Sequence, residues 1–265
     1  MLTYESLIEQ AVLREMPRTK IRGILREYLQ VLILKELYKT TLGKKLYFTG
    51  GTYLRLVHNL KRFSEDLDFN TDTLTKREFE GLNNKIVKEL ERIGIESKVT
   101  YTHWQNIYVA ELSFPKIEKN YSVVSKYSKK RGIVIKLEAN KLKSRIENKT
   151  EVISGFAQTY PCVCTDKGIL FADKIDALIK KNRGRHIYDI IFMISNKYSI
   201  DEKYLLNLGI KKEPFKAILD RIKAFSKSEL KKQAETLRPF LFDESEAELL
   251  INAHDIIPSL ISKYR

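Results

Sequence analysis

Cysteine is scarce in this chain, and the two present, Cys162 and Cys164, stand only two positions apart. A pair that close cannot staple distant segments, and no second pair exists to complete a zinc site. A disulfide scaffold and a zinc-built fold are therefore excluded, and both thiols read as reduced, ordinary residues of a strand or loop. Long apolar runs are missing too. The most apolar early stretch, 28–37, is too short to span a bilayer and carries Lys35 and Glu36. The first five residues lack the basic and apolar regions of a secretion signal, so a cytoplasmic protein without membrane association is expected. No internal repeat or low-complexity tract is evident. Acids are in deficit: 34 Asp and Glu face 48 Lys and Arg, a formal net charge of +14. Such an excess repels itself in a compact fold unless an anionic partner offsets it, and nucleic acid is the commonest such partner. A Lys-rich surface with no such partner is the other reading.

What is present suffices for a sizeable core: 265 residues, 43% of them hydrophobic, make one large domain or two modest ones. Thr3 can cap a short first helix, and Pro17 breaks the chain before a longer one over about 19–39. A short buried strand at 45–48 follows, then Gly50-Gly51 as a turn, a helix over 52–60 and a second strand at 66–69. Residues 75–93 predict a helix with Phe79, Leu82, Ile86, Leu90 and Ile93 on one face and Gly94 as its stop. Strand-like stretches come next at 96–103, 107–114 and 132–139. A Lys-, Ser- and Thr-rich segment, 141–165, reads as a connection. Beyond it, amphipathic runs predict helices at 167–181, 185–196, 213–225, 227–237 and 244–257, the last stopped by Pro258. The expected class is α+β, a mixed sheet flanked by helices over 1–165 followed by a helical lobe over 166–265. Trp104 and the aromatics of that lobe read as core.

The chemistry concentrates at Gly50-Gly51-Thr52-Tyr53-Leu54-Arg55 and Arg62-Phe63-Ser64-Glu65-Asp66-Leu67-Asp68-Phe69. Asp66 and Asp68 are two apart on a predicted strand, so both carboxylates project from one face. That arrangement suits Mg²⁺, which takes one or two carboxylates together with substrate phosphates. Gly50 and Gly51 let the backbone approach a phosphate, and amides at the following helix start can cradle it. Thr52 is expected to cap that helix and to offer its hydroxyl to the same phosphate. Gly-Gly-Thr alone mostly means a turn and Asp-x-Asp alone a solvated edge; together they describe a site for a nucleoside triphosphate.

These residues resemble the first signature of the nucleotidyltransferase toxins of the abortive-infection AbiEii and mycobacterial MenT kind, within the DNA polymerase β-like superfamily. The resemblance implies a nucleotidyltransferase core followed by a helical lobe, with Mg²⁺ or Mn²⁺ at Asp66 and Asp68. It implies a nucleotide held by Gly50, Gly51, Thr52, Arg55 and Ser64. It resumes at Phe171-Ala172-Asp173-Lys174 and at Arg185-His186-Ile187-Tyr188-Asp189. By that match Lys174 holds the triphosphate and Asp189 completes or braces the site. The alternative is a solvated Lys174, with Asp189 paired to Arg185 one turn earlier. Where the family often carries an acid, this chain has His186, which leaves that position's role open. A third carboxylate is usual in the superfamily. Glu138 is the candidate, either binding metal or accepting a proton, or else an edge-strand charge.

Between 116 and 149 lie eleven Lys/Arg and three acids, an excess of eight that is more than half of the whole chain's. Lys126, Lys129, Lys130, Arg131, Lys141, Lys143 and Arg145 form the expected RNA track, with Tyr121 and Tyr127 available to stack on bases. The resemblance implies addition of nucleotides to an RNA 3′ end, with the transfer RNA acceptor end as target and growth arrest as outcome. It also implies a cognate antitoxin. The competing expectations are a small-molecule or protein acceptor, or a catalytically silent binding protein.

Overall fold

Thr3 caps the first helix, α1 (Tyr4–Leu13), its hydroxyl accepting from the Ser6 amide at 3.2 Å. The structure, a computed structural model, describes residues 1–123, 132–143 and 145–264. The chain divides into two compact units, Met1–Thr165 and Asp166–Arg265.

In the first unit, α2 (Ile21–Tyr38) is buried along most of its length, Glu27 and Gln30 included. Then come β1 (Tyr47–Thr49), α3 (Gly50–His58), β2 (Leu67–Thr71) and α4 (Lys76–Arg92). A capping box between Thr75 and Glu78 starts α4, and Gly94, at φ +82°, follows its end. Phe79, Leu82, Ile86 and Leu90 are buried as expected, whereas Ile93 is exposed past the last turn. β3 (Lys98–Trp104), β4 (Ile107–Phe114), the short α5 (Ile117–Asn120) and β5 (Ile133–Lys141) continue the chain. The stretch read as a connection instead holds β6 (Asn148–Gly155) and β7 (Gln158–Thr165), an antiparallel hairpin. Its Lys- and Thr-rich alternation is that of a sheet edge with one solvated face.

The strands form one seven-stranded sheet in the order β3-β4-β5-β2-β1-β7-β6. It is mixed: β2 runs parallel to β5 and β1 parallel to β7, while the other pairs are antiparallel. Alternation sorts the two faces. Phe48, Leu67, Phe69, Ile135, Leu137, Ala110 and Leu112 share one face and are buried. Helices α2 and α4 pack on the sheet. Thr49, Asp68, Glu138, Lys136 and Glu111 share the opposite face. That second, polar face carries the candidate site.

The second unit is helical: α6 (Lys167–Lys180), α7 (Gly184–Ser195), α8 (Glu202–Asn207), α9 (Pro214–Lys223), α10 (Lys227–Leu237), α11 (Glu248–Ile251) and α12 (Ala253–Tyr264). Helix α7 packs against α6, α10 and α12, and its Ile187, Ile190, Met193 and Ile194 are buried. Pro258 does not stop a helix, as its sequence suggested. The chain breaks earlier, near Asn252, and Pro258 lies inside α12. Among the described residues no helix is long and apolar enough to cross a membrane.

Candidate active site

Gly50 opens α3 with a φ of +81°, a conformation glycine adopts without the Cβ penalty. A Cβ built there would lie 2.2 Å from Asp68 Oδ2 and 2.9 Å from Asp68 Cγ. The missing side chain is thus the space the carboxylate occupies. Asp68 is held there by the register of β1 on β2, where Thr49 is its direct partner. At Gly51 a Cβ would meet Arg62 Nη2 at 2.6 Å and Ser64 Oγ at 3.0 Å, so Ser64 also reaches this turn. The two glycines belong to the first turn of α3 itself rather than to a loop before it.

Asp66 stands just ahead of β2, and its approach is fixed from α2. The buried Gln30 amide donates to the carbonyls of Ser64 at 3.0 Å and Glu65 at 3.1 Å, and Arg26 pairs with Glu65 at 3.0 Å. Burial lowers the Arg26 pKa, opposed by the charges of Glu65 and Asp66.

Two expectations require correction. Thr52 does not cap α3: the cap is Thr49, and the Thr52 hydroxyl, fully buried, donates to the Asp66 carbonyl. Thr52 therefore ties the helix to the start of the carboxylate strand, and its proton is already committed. Arg55 cannot reach a nucleotide. It is 0% exposed, paired with Glu27 at 2.9 and 3.1 Å, and donates to Asn59 Oδ1, Leu60 O and Arg14 O. All five guanidinium N–H groups have protein acceptors, so its role is to brace α3 on α2.

Glu138 lies directly beside Asp68 in the parallel pairing of β5 with β2. Their side chains share a face, which sets a second carboxylate beside Asp68. Lys136, two residues earlier, forms an ion pair with Glu138. Thr49 went unremarked in the sequence. Its hydroxyl is buried beside Asp68 with no hydrogen-bond partner among the described residues, at a helix start without a side-chain cap. The signal available was its place directly before the two glycines.

The donor set suits a divalent ion that arrives with phosphate. Asp66 and Asp68 supply hard oxygens, Glu138 stands alongside, and glycine leaves the approach open. Among the described residues no group of three or more His, Cys, Asp or Glu is placed to hold a metal ion.

In the helical unit, Lys174 Nζ donates to Asp189 Oδ2 at 2.8 Å, joining α6 to α7. Asp189 is fully buried and Lys174 nearly so, so this is a desolvated pair rather than a solvated lysine. His186, on the first turn of α7, is 6% exposed, and neither ring nitrogen has a hydrogen-bond partner among the described residues. Burial, reinforced by the Lys174 charge, pushes its pKa down to about 3. A neutral imidazole thus stands beside the Lys174–Asp189 pair.

Of the expected RNA track, Lys126, Lys129, Lys130 and Arg131 lie outside the described residues, as does Tyr127. Lys143 and Arg145 are exposed, whereas the Lys141 ammonium donates to the Leu74 carbonyl at 3.2 Å. Arg145 and Lys149 line an open concavity of ≈ 490 Å³. Tyr121 is buried and donates to the Leu2 carbonyl at 2.8 Å, so it is unavailable for stacking. Trp104, read as core, is instead 63% exposed. Its register through Ile107 and Asn140 sets it on the same sheet face as Asp68 and Glu138.

A family profile described as "Nucleotidyl transferase AbiEii toxin, Type IV TA system" matches residues 32–250. No curated protein matches the sequence. The fold is similar to that of JHP933 from Helicobacter pylori, at 17% identity and a TM-score of 0.55 over 91% of this chain and 93% of that one. It is similar also to MenT4, a nucleotidyltransferase toxin from Mycobacterium tuberculosis, at 15% identity and a TM-score of 0.58 over 100% of this chain and 92% of that one. At such identities these likenesses concern the fold.

Proposed function

Because this chain belongs to the AbiEii nucleotidyl transferase toxin family of type IV toxin–antitoxin systems, we propose that it transfers a nucleotide from a nucleoside triphosphate to an RNA 3′ end. The transfer RNA acceptor end is the proposed target, and blocked translation the proposed toxic outcome. One observation carries the assignment: Asp68 fills the space left by the missing Gly50 side chain, with Glu138 beside it on the same sheet face.

In the proposed reaction the 3′ hydroxyl oxygen attacks the α-phosphorus. A new O–P bond forms, and the bond to the leaving pyrophosphate breaks. The hydroxyl proton passes to a carboxylate oxygen of this face, with Glu138 as acceptor once Lys136 releases it. Amides at the start of α3, which lack a side-chain cap, hold the phosphates together with the Ser64 and Thr49 hydroxyls. Mg²⁺ or Mn²⁺ bound by Asp66 and Asp68 would neutralise charge developing on the phosphates. Lys174 is a further proposed functional residue, with Asp189 fixing the position of its ammonium. Lys143, Arg145 and the basic segment at 126–131 are proposed to guide the RNA, and the exposed Trp104 offers a surface on which an unpaired base can stack. Family membership also implies a cognate antitoxin.

The test is incorporation of each of four α-labelled nucleoside triphosphates into total RNA with Mg²⁺, comparing wild type with Asp66→Ala. Label in a transfer-RNA-sized band with wild type alone supports the reading. Nucleotide consumption without labelled RNA moves the acceptor to a protein or small molecule.

A further inference from the structure

Strand β5 carries a cation into the acidic face. The register sets Glu138 beside Asp68 and Leu137 beside Leu67, and Lys136 comes one residue before that paired stretch on β5. Alternation sends the side chains at 68, 136 and 138 to the same side. On the other flank Glu111 of β4 is the direct partner of Lys136. The Lys136 ammonium pairs with Glu138, and both side chains remain about one-third exposed. The hydrogen bond that the ammonium donates to Glu138 raises its pKa above the ordinary lysine value, opposed by burial and helped by the charges of Glu138, Asp66 and Asp68. The carboxylate that stands beside Asp68 is therefore already occupied by a cation.

Such a grouping needs a cation. Carboxylates on adjacent strands repel one another, and a positive charge among them relieves that repulsion. A lysine suits a temporary occupant. Its charge is compact, its stem has four flexible carbons, and at partial exposure the pair with Glu138 is weak enough to exchange.

We propose that Lys136 is a displaceable counter-cation of the active site, which occupies Glu138 when nucleotide is absent and opposes binding of the divalent ion at the neighbouring Asp68. The proposal rests on the nucleotidyltransferase reading above and adds an order to it. Metal alone binds weakly because it must displace Lys136 without offering the ammonium another partner. Metal arriving with a triphosphate binds tightly, because the phosphates receive the displaced ammonium. Glu138 is then free to take the proton from the attacking hydroxyl.

The experiment measures Mn²⁺ binding by loss of the free-ion electron paramagnetic resonance signal. Wild type, Lys136→Met, Lys136→Gln and Lys136→Arg are compared with and without a non-hydrolysable nucleoside triphosphate analogue, and circular dichroism checks the fold. Without nucleotide, Lys136→Met should bind Mn²⁺ about tenfold more tightly than wild type, as removal of one nearby like charge implies. Lys136→Gln should behave the same and serves if the Met variant does not fold; Lys136→Arg should stay weak. The analogue should tighten Mn²⁺ binding more in wild type than in Lys136→Met. Equal or weaker nucleotide-free affinity in the neutral variants overturns the proposal while leaving the metal-dependent reading intact. Absence of Mn²⁺ binding by wild type even with the analogue overturns that reading and the proposal together.

Discussion

The Asp68 carboxylate occupies the space where any side chain at residue 50 would begin: a Cβ on Gly50 would sit 2.2 Å from Oδ2. The helix proposed to cradle phosphate and the strand that bears the carboxylate can meet only because residue 50 is glycine. Gly50→Ala adds a backbone penalty of about 1–2 kcal/mol at its positive φ and pushes Asp68 aside. Transfer should fall by about 10²-fold, the typical result of misplacing a reacting group by an ångström, with a modest loss of thermal stability. Retained activity would show that the placement of Asp68 is not needed.

Arg55 should behave as structure rather than as a nucleotide contact. Removing one member of a buried pair costs about 3–5 kcal/mol, so Arg55→Ala should unfold at markedly lower urea. The double variant Arg55→Met with Glu27→Leu should recover much of that loss. If Arg55→Ala instead keeps its stability and loses nucleotide affinity, the buried pairing with Glu27 is not its role.

How much is legible in the sequence follows the range of each interaction. The common face of Asp66 and Asp68 needs only a two-residue period, and α4 announces itself through Thr75, Glu78 and Gly94. The pairing of Glu138 with Asp68 is a register between strands seventy positions apart, and no local pattern encodes it. Arg55 sits in a nucleotide-like motif, and only Glu27, far earlier in the chain, shows it to be a brace. The β6–β7 hairpin resembles a linker because an edge strand with a solvated face is rich in Lys and Thr; its order comes from the pairing of β7 with β1. Trp104 looks like core by residue type, yet it ends an edge strand.

His186 makes stability depend on pH. Its folded pKa, about 3, lies below the ordinary 6.5, so between these values the unfolded chain binds a proton that the native one does not. Stability should therefore fall as pH drops from about 6.5 toward 3, at up to roughly 1.4 kcal/mol per unit from this group. His186→Gln, which cannot titrate, should show a shallower slope in urea titrations across that window. An unchanged slope would place the histidine in a wetter setting than the structure shows.

RNA affinity should depend on salt. Each phosphate contact on a single strand contributes about 0.7 to the slope of log K against log salt. Neutralising Lys143 and Arg145 together should reduce that slope by roughly 0.7 to 1.4 while weakening binding to all sequences alike. A slope unchanged by the double variant would remove these residues from the RNA path.

The central claim, attack of an RNA 3′ hydroxyl on a nucleotide positioned by Asp68, is tested most directly by offering an α-labelled nucleoside triphosphate to one RNA preparation in two forms. One form keeps its 3′ hydroxyl, and the other has its 3′ end oxidised with periodate. The account predicts label in the intact RNA only, with incorporation by a folded Asp68→Asn protein reduced by about 10²-fold or more. Equal labelling of the oxidised RNA, or undiminished labelling by Asp68→Asn, would contradict it.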